Sequence, residues 1–246
     1  MDASSPLARD LLHTRTAAAL SCFHCPARTS DLCGSLPDHQ LDALFTLSQR
    51  ITLKPRQTLI LEGDPSDLVY NVSAGTMMLS RVGADGRRQI LSFLFRGNFI
   101  GLTANGHYRY NAEAVTEVEL CRFDRAKLHE LFREHPEMER AFRALALKTL
   151  EASQDLIYTL GRRSAVERVA SFLLYLSEQH RILGACSPVI PLPMTRTDIA
   201  DYLGLTIETV SRAFTKLKTD RLIRLKTAHS FEIVSHRALS DLAAAE

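Results

Sequence analysis

The chain has 246 residues, with 30 Lys and Arg against 28 Asp and Glu and a net charge of +2. Hydrophobic residues make up 46% and charged residues 24%, which excludes disorder throughout, and the length favours two domains over a single core. No apolar run reaches the roughly 18 residues of a membrane span, and residues 1–20 carry no basic leader followed by an apolar stretch, so the expected compartment is the cytoplasm.

Residues 1–20 read as a loosely ordered arm. The cysteines are Cys22, Cys25, Cys33, Cys121 and Cys186. An odd number in a chain with no export signal argues against a disulfide framework, and three within one short segment point to metal or redox chemistry. Residues 36–48 predict a short helix, with Asp38 as its N-cap. From Ile51 the texture changes. The runs Thr58–Glu62, Leu68–Ser73, Thr76–Val82 and Arg88–Phe95 alternate with turn signals such as Gly63-Asp64-Pro65, and strand character persists through Val115–Phe123. Strands at this spacing predict an antiparallel barrel or sandwich. Gly83-Ala84-Asp85-Gly86 marks a hairpin, because it offers residues that tolerate positive φ.

The period then becomes helical. Asp124 can cap a helix containing Ala126–Arg133. Pro136 suits the first turn of a long helix reaching about Leu160, which Gly161-Arg162-Arg163 ends. Two apolar stripes run along it. Met138, Phe142, Leu145, Ala152 and Leu156 form one; Leu147, Leu150 and Ile157 form the other. A second stripe sustained over several turns is most simply covered by a partner helix, which makes the chain a homodimer. A helix buried on both sides within one chain is the alternative.

Beyond it, Ala165–Gln179 reads as an amphipathic helix and His180–Val189 as a loop. Helices at Met194–Leu203 and Thr206–Thr219 flank a turn at Gly204, and Leu222–Leu225 with Phe231–Val234 form a small hairpin. Thr197 is the expected N-cap of the first of these two helices and Thr206 of the second. Ile199, Ala200, Leu203, Val210, Phe214 and Leu217 face inward. Glu208, Thr209, Ser211, Arg212, Thr215 and Lys216 face outward. This is a helix-turn-helix plan, whose second helix enters the major groove of double-stranded DNA. From Thr206 to Lys226 there are six basic residues and two acidic ones, which suits phosphate binding. An arginine can grip guanine and a glutamate can accept from cytosine, while Lys216 and Lys218 suit phosphates. A solvated helix pair is the alternative.

The segment DIADYLGLTIETVSR resembles the DNA-reading element of the CRP/FNR superfamily of bacterial transcription regulators, and the resemblance extends along the whole chain. It implies an α+β protein with an N-terminal antiparallel β-roll of the cyclic-nucleotide-binding type, a long dimerisation helix and a C-terminal winged helix-turn-helix. The corresponding division is arm 1–35, roll 36–135, helix 136–160 and DNA-binding domain 161–246. Glu208, Ser211 and Arg212 match the family's E-x-x-S-R triplet, which the FNR and FixK branches use on TTGAT-type half-sites. Thr206 and Thr209 then become auxiliary or phosphate contacts. RNA polymerase is an implied partner, with the Gly83–Gly86 loop as the implied surface.

The cysteine spacing is Cys22-x2-Cys25-x7-Cys33, with Cys121 far along the chain. Thiolates suit zinc, Cu(I) or iron–sulfur clusters. Pro26 rather than His follows Cys25, against a c-type haem. Buried structural cysteines, a zinc site and a site that no longer binds remain open. The resemblance to FNR-type oxygen sensors implies a [4Fe-4S] cluster on Cys22, Cys25, Cys33 and Cys121, and an oxygen-responsive regulator active as an anaerobic dimer. The gap of seven is similar to that in FnrL-like and some FixK-like members. Cys186 has no place in this scheme. Cyclic-nucleotide-binding members carry a Gly-Glu pair and an Arg-Ser/Thr-Ala run; here Asn98 or Leu102 replaces the Glu and Tyr110-Asn111-Ala112 replaces the run, so no cyclic nucleotide is expected. The same fold with zinc or thiol-redox input is the first alternative. An iron–sulfur enzyme is the second; no catalytic arrangement stands out and none is expected.

Overall fold

The computed structural model describes residues 25–29, 31–103, 106–185 and 187–244. Cys22, Cys186 and the arm 1–20 lie outside them. By their contacts the residues fall into two units: the first runs through Arg81 and resumes over Ser92–Leu147, and the second comprises Val82–Leu91 and Lys148 onward.

In the first unit a 3-10 turn at Pro26–Thr29 leads to α1 (Asp31–Ser35) and α2 (Asp38–Leu47). Eight strands follow: β1 (Gln49–Leu53), β2 (Thr58–Ile60), β3 (Leu68–Ala74), β4 (Met77–Val82), β5 (Arg88–Leu94, whose first residues through Leu91 belong to the second unit), β6 (Phe99–Ile100), β7 (Asn111–Ala114) and β8 (Val118–Asp124). They form two four-stranded sheets, ordered β1-β8-β3-β6 and β2-β7-β4-β5, in which the pairs β1–β8, β8–β3, β3–β6, β2–β7 and β7–β4 are antiparallel. The antiparallel roll is therefore borne out. Strand alternation explains it: along β8, Val118, Leu120, Cys121 and Phe123 are buried while Glu119 and Asp124 are exposed. Between the sheets lie Leu53, Ile60, Met77, Ile100, Val118 and Leu120, each contributing about 1.5–3 kcal/mol by burial.

Several local expectations need correction. Asp38 is not the N-cap of α2; Pro37 is, and the Asp38 carboxylate instead pairs with Arg28 at 3.2 Å. The stretch Val115–Phe123 is not one strand. Residues 115–117 separate β7 from β8 and pass so close to Gly75 (φ +85°) that a Cβ there would run into the Glu117 carbonyl oxygen. The Gly83–Gly86 turn is as expected, with Gly86 at φ +77° and its N–H bonded to the Gly83 carbonyl at 2.9 Å.

A second core lies beside the roll. Leu36, Leu41 and Leu44 from the α2 region, Cys121 and Phe123 of β8, Leu128 and Phe132 of α3 (Arg125–Glu134) and Met138 and Leu145 of α4 (Pro136–Arg162) share it. The Asp124 side chain caps α3 by accepting from the Lys127 N–H. Pro136 opens α4 as its position predicts, but the helix passes through Gly161 and ends at Arg162. Met138 is fully buried and Leu145 nearly so, whereas Leu147, Leu150 and Ile157 are 56%, 54% and 69% exposed in the single chain. Ala152, assigned to the inward stripe, is exposed.

In the second unit α5 (Ala165–Ile182) runs past the expected Gln179. A short strand β9 (Ile190–Pro191) joins β10 (Ile223–Thr227) and β11 (Ser230–Ile233) in a three-stranded sheet, ordered β10-β11-β9. Between them lie α6 (Arg196–Leu203) and α7 (Ile207–Thr219), and α8 (His236–Ala244) ends the described chain. Among the described residues no helix is long and apolar enough to cross a membrane.

Candidate nucleic-acid interface and cysteine site

The α6–α7 pair is held by its caps. Thr195, not Thr197, caps α6: its hydroxyl oxygen accepts from the Asp198 N–H at 3.1 Å while the Asp198 carboxylate accepts from the Thr195 N–H at 2.9 Å. The reciprocal pair needs a capping residue three before an acid, and Thr195 with Asp198 provides it. Burial pushes the Asp198 carboxyl up, but hydrogen bonds from Thr195 and the Arg88 guanidinium outweigh it and hold it below the usual carboxylate range. Gly204 closes α6 in the left-handed region at φ +62°. The Arg168 guanidinium donates to the Leu203 carbonyl at 3.0 Å, fixing the end of α6 to α5. Thr206 then caps α7, accepting from the Thr209 N–H at 3.2 Å.

Val210, Ala213, Phe214 and Leu217 bury one side of α7. The Arg196 guanidinium lies 3.3 Å over the Phe214 ring, and burial lowers its pKa to about 10. On the other side Glu208, Ser211, Arg212, Thr215, Lys216 and Lys218 are exposed and Thr209 is half-buried. Ser211 donates its proton to the Ile207 carbonyl at 2.8 Å, so it faces outward as an acceptor. Glu208 is held below the usual carboxylate range by its own backbone N–H, by the Thr206 hydroxyl and by the Arg212 charge. Arg212 donates to Thr209 Oγ1 at 3.3 Å. Ser211, Arg212, Thr215, Lys216, Thr219 and Asp220 line a shallow groove. The basic face is partly neutralised: Lys216 pairs with Asp220 at 2.9 Å, and Arg224 and Lys226 share Glu232 at 3.3 and 2.9 Å. Glu232 lies outside the Thr206–Lys226 window, so the sequence overstated the free charge.

In the first unit Cys25, Cys33 and Cys121 line one cavity with Ala27, Leu44, Ser48, Asn71, Phe99 and Phe123. Cys121 sits on β8 between Arg50 of β1 and Asn71 of β3. Cys25 and Cys121 are buried and Cys33 is half-buried. Arg28 organises the segment before α2, donating from its Nη1 to the Cys33 carbonyl at 2.5 Å and from its Nη2 to Asp38. The cavity is about 10 Å³, no more than one water molecule fills. Among the described residues no three His, Cys, Asp or Glu side chains are placed to hold a single metal ion. The donors suit a thiophilic group; a polynuclear cluster would require the segment around Cys25–Cys33 to move outward. Elsewhere in the roll, the buried Tyr108 and the half-buried Tyr110 take up backbone groups. Tyr110 Oη accepts from the Gly101 N–H at 2.9 Å and Tyr108 donates to the Leu68 carbonyl at 2.7 Å.

A β-roll, a long helix with a bare apolar stripe and a capped helix-turn-helix define a helix-turn-helix transcription regulator. Residues 167–242 match the family described as "Crp-like helix-turn-helix domain" and residues 50–135 that described as "Cyclic nucleotide-binding domain". The chain is 42% identical to the nitrogen fixation regulation protein FixK of Bradyrhizobium diazoefficiens over 80% of its own length and 83% of the relative's. It is 32% identical to the transcriptional activator protein FnrL of Cereibacter sphaeroides over 83% and 84%. Among solved structures, FixK2 of Bradyrhizobium japonicum aligns with a TM-score of 0.76 at 32% identity, covering 81% of this chain and 98% of that one. The chain belongs to the CRP/FNR family and is a DNA-binding transcription regulator of the FNR/FixK type.

Proposed function

We propose that the protein is an oxygen-responsive regulator, active without oxygen as a homodimer that holds a [4Fe-4S] cluster on Cys22, Cys25, Cys33 and Cys121 and binds a TTGAT-type palindrome. The observation that carries this reading is that Cys121, distant in sequence, converges with Cys25 and Cys33 on one cavity beside the core that also holds Met138 and Leu145 of α4. In a four-iron cube each thiolate binds a different iron, so the sulfurs stand farther apart than around one zinc ion. Bound, such a group supplies iron–thiolate bonding that oxygen destroys.

The chain's own residues connect this cavity to the dimer helix. Arg28 ties the cysteine segment to the start of α2, and the Gln40 amide of α2 donates to Glu137 in the first turn of α4. With its thiolates engaged, the segment is held in one place and α4 with it. Leu147, Leu150 and Ile157 then meet their copies on a partner helix. A bias of about 2–4 kcal/mol toward the dimer shifts its occupancy usefully. The dimer presents two recognition helices about one DNA turn apart, with Glu208, Ser211 and Arg212 on base edges, Lys216 and Lys218 on phosphates, and Thr206 and Thr209 in an auxiliary or phosphate role. RNA polymerase is the expected further partner. No cyclic nucleotide is expected, since Tyr110-Asn111-Ala112 stands in place of the Arg-Ser/Thr-Ala run and the Tyr110 hydroxyl is engaged with the Gly101 N–H.

The test is iron and sulfide analysis, visible absorbance and operator binding of anaerobically purified protein. About four irons per chain, lost together with binding in C25S, C33S and C121S, is the expected result. A second reading, thiol-redox input in the same fold, is favoured by the small cavity, since it needs neither a metal nor added space. Colourless anaerobic protein with full operator affinity selects it.

A further inference from the structure

The two charged base readers proposed above are joined by a chain of hydroxyls. Thr206 Oγ1 and Thr209 Oγ1 lie 3.0 Å apart, and Arg212 Nη2 donates to Thr209 Oγ1 at 3.3 Å. At the other end the Thr206 hydroxyl is the side-chain donor to the Glu208 carboxylate. A hydroxyl has one proton and two acceptor sites, and this fixes the direction. The Thr206 proton goes to Glu208, so the proton between the threonines comes from Thr209. Thr206 Oγ1 also accepts the Thr209 N–H at 3.2 Å, which fills it. Thr209 Oγ1, its proton given to Thr206, is left an acceptor, and Arg212 donates to it. Thr209 is half-buried, so its rotamer is restrained where those of Glu208 and Arg212 are not. A long arginine loses rotamer freedom when it grips a base, and a partner that restrains it beforehand lowers that cost.

We propose that Thr209 is a positioning residue for base reading: through Thr206 it sets the distance and orientation between Glu208 and Arg212 before DNA arrives. The inference rests on the base-reading role given above to Arg212 and Glu208. It differs from a phosphate contact in what it controls, since a phosphate contact raises affinity for all sequences alike and positioning raises discrimination.

The experiment measures anaerobic binding of the full-length protein to a TTGAT-type palindrome and to its single-base variants, for T209V, T209S, R212A and T209V/R212A. Valine keeps the shape and removes the hydroxyl; serine keeps the hydroxyl. T209V should lower discrimination about 3- to 10-fold at the base pair that R212A identifies, and little elsewhere. T209S should stay within about 2-fold of the parent. The double variant should discriminate no worse than R212A, because a positioning residue has nothing left to position. If T209V weakens every operator equally, or if its effect adds in full to that of R212A, the positioning role is wrong and Thr209 holds a phosphate. If R212A itself leaves base preference unchanged, the base-reading assignment falls and this proposal falls with it.

Discussion

The Arg88 guanidinium donates to the buried Asp198 carboxylate at 2.6 Å and to Asp201 at 2.8 Å. Asp198 is also half of the capping box of α6, so one carboxylate serves the start of the helix-turn-helix and an arginine distant in sequence. Replacing Arg88 by Ala removes the guanidinium from that carboxylate while its Thr195 hydrogen bonds remain. Losing one partner of a fully buried pair costs about 3–5 kcal/mol; Arg88 is partly exposed and Thr195 remains, so about 1–3 kcal/mol is expected. Urea unfolding at neutral pH measures it. The folded Asp198 is held below its unfolded value of about 3.9, so its contribution is present above that pH and is lost as pH falls through the folded value. The gap between parent and R88A should therefore close on acidification below about pH 4 and stay constant from about pH 6 to 8.

Leu150 is 54% exposed on a helix that otherwise anchors itself through Met138 and Leu145. Leu150→Glu should leave the monomer's thermal stability within about 0.5 kcal/mol, because an exposed site tolerates charge. In a dimer seam the same carboxylate is buried unpaired at a cost of several kcal/mol. Anaerobic sedimentation should then show a monomer. An unchanged dimer removes this stripe from the interface.

Lys216 and Lys218 lie two residues apart on α7, but Lys216 is paired with Asp220. Removing Lys218 should lower the slope of log affinity against log salt by about one unit. Removing Lys216 should lower it by less, since Asp220 already offsets its charge. Equal slopes for the two alanine variants would show that the pair opens on DNA.

Gly204 adopts φ +62° at the end of α6, and a Cβ there would meet its nearest neighbours only at 3.7 and 3.9 Å. The space is adequate, so the cost of Gly204→Ala is conformational, about 1–2 kcal/mol. Gly204→Asn should cost less, because Asn visits the left-handed region more readily. Thermal melting of the two variants ranks them; an equal loss would mean that packing, not backbone strain, governs this turn.

The alternation in β8, the hairpin glycines, the Pro136 start, the Gly204 stop and the buried face of α7 were all legible in the sequence, because each follows from local stereochemistry or helical period. The same is true of Glu208, Thr206 and Arg212, which share one turn-and-helix segment. The α6 cap at Thr195 rather than Thr197 is local too, since a reciprocal box with Asp198 three residues on satisfies two backbone donors where a lone cap satisfies one. Tertiary structure alone decided the rest. It spent the charges of Arg224 and Lys226 on Glu232 across a hairpin. It brought Cys121 to Cys25 and Cys33, although spacing offered no reason for a residue in the middle of a strand to join a segment nearly a hundred positions earlier. Periodicity reports which face of an element is apolar; which partners meet that face depends on how distant segments pack, and that information is spread over the whole chain.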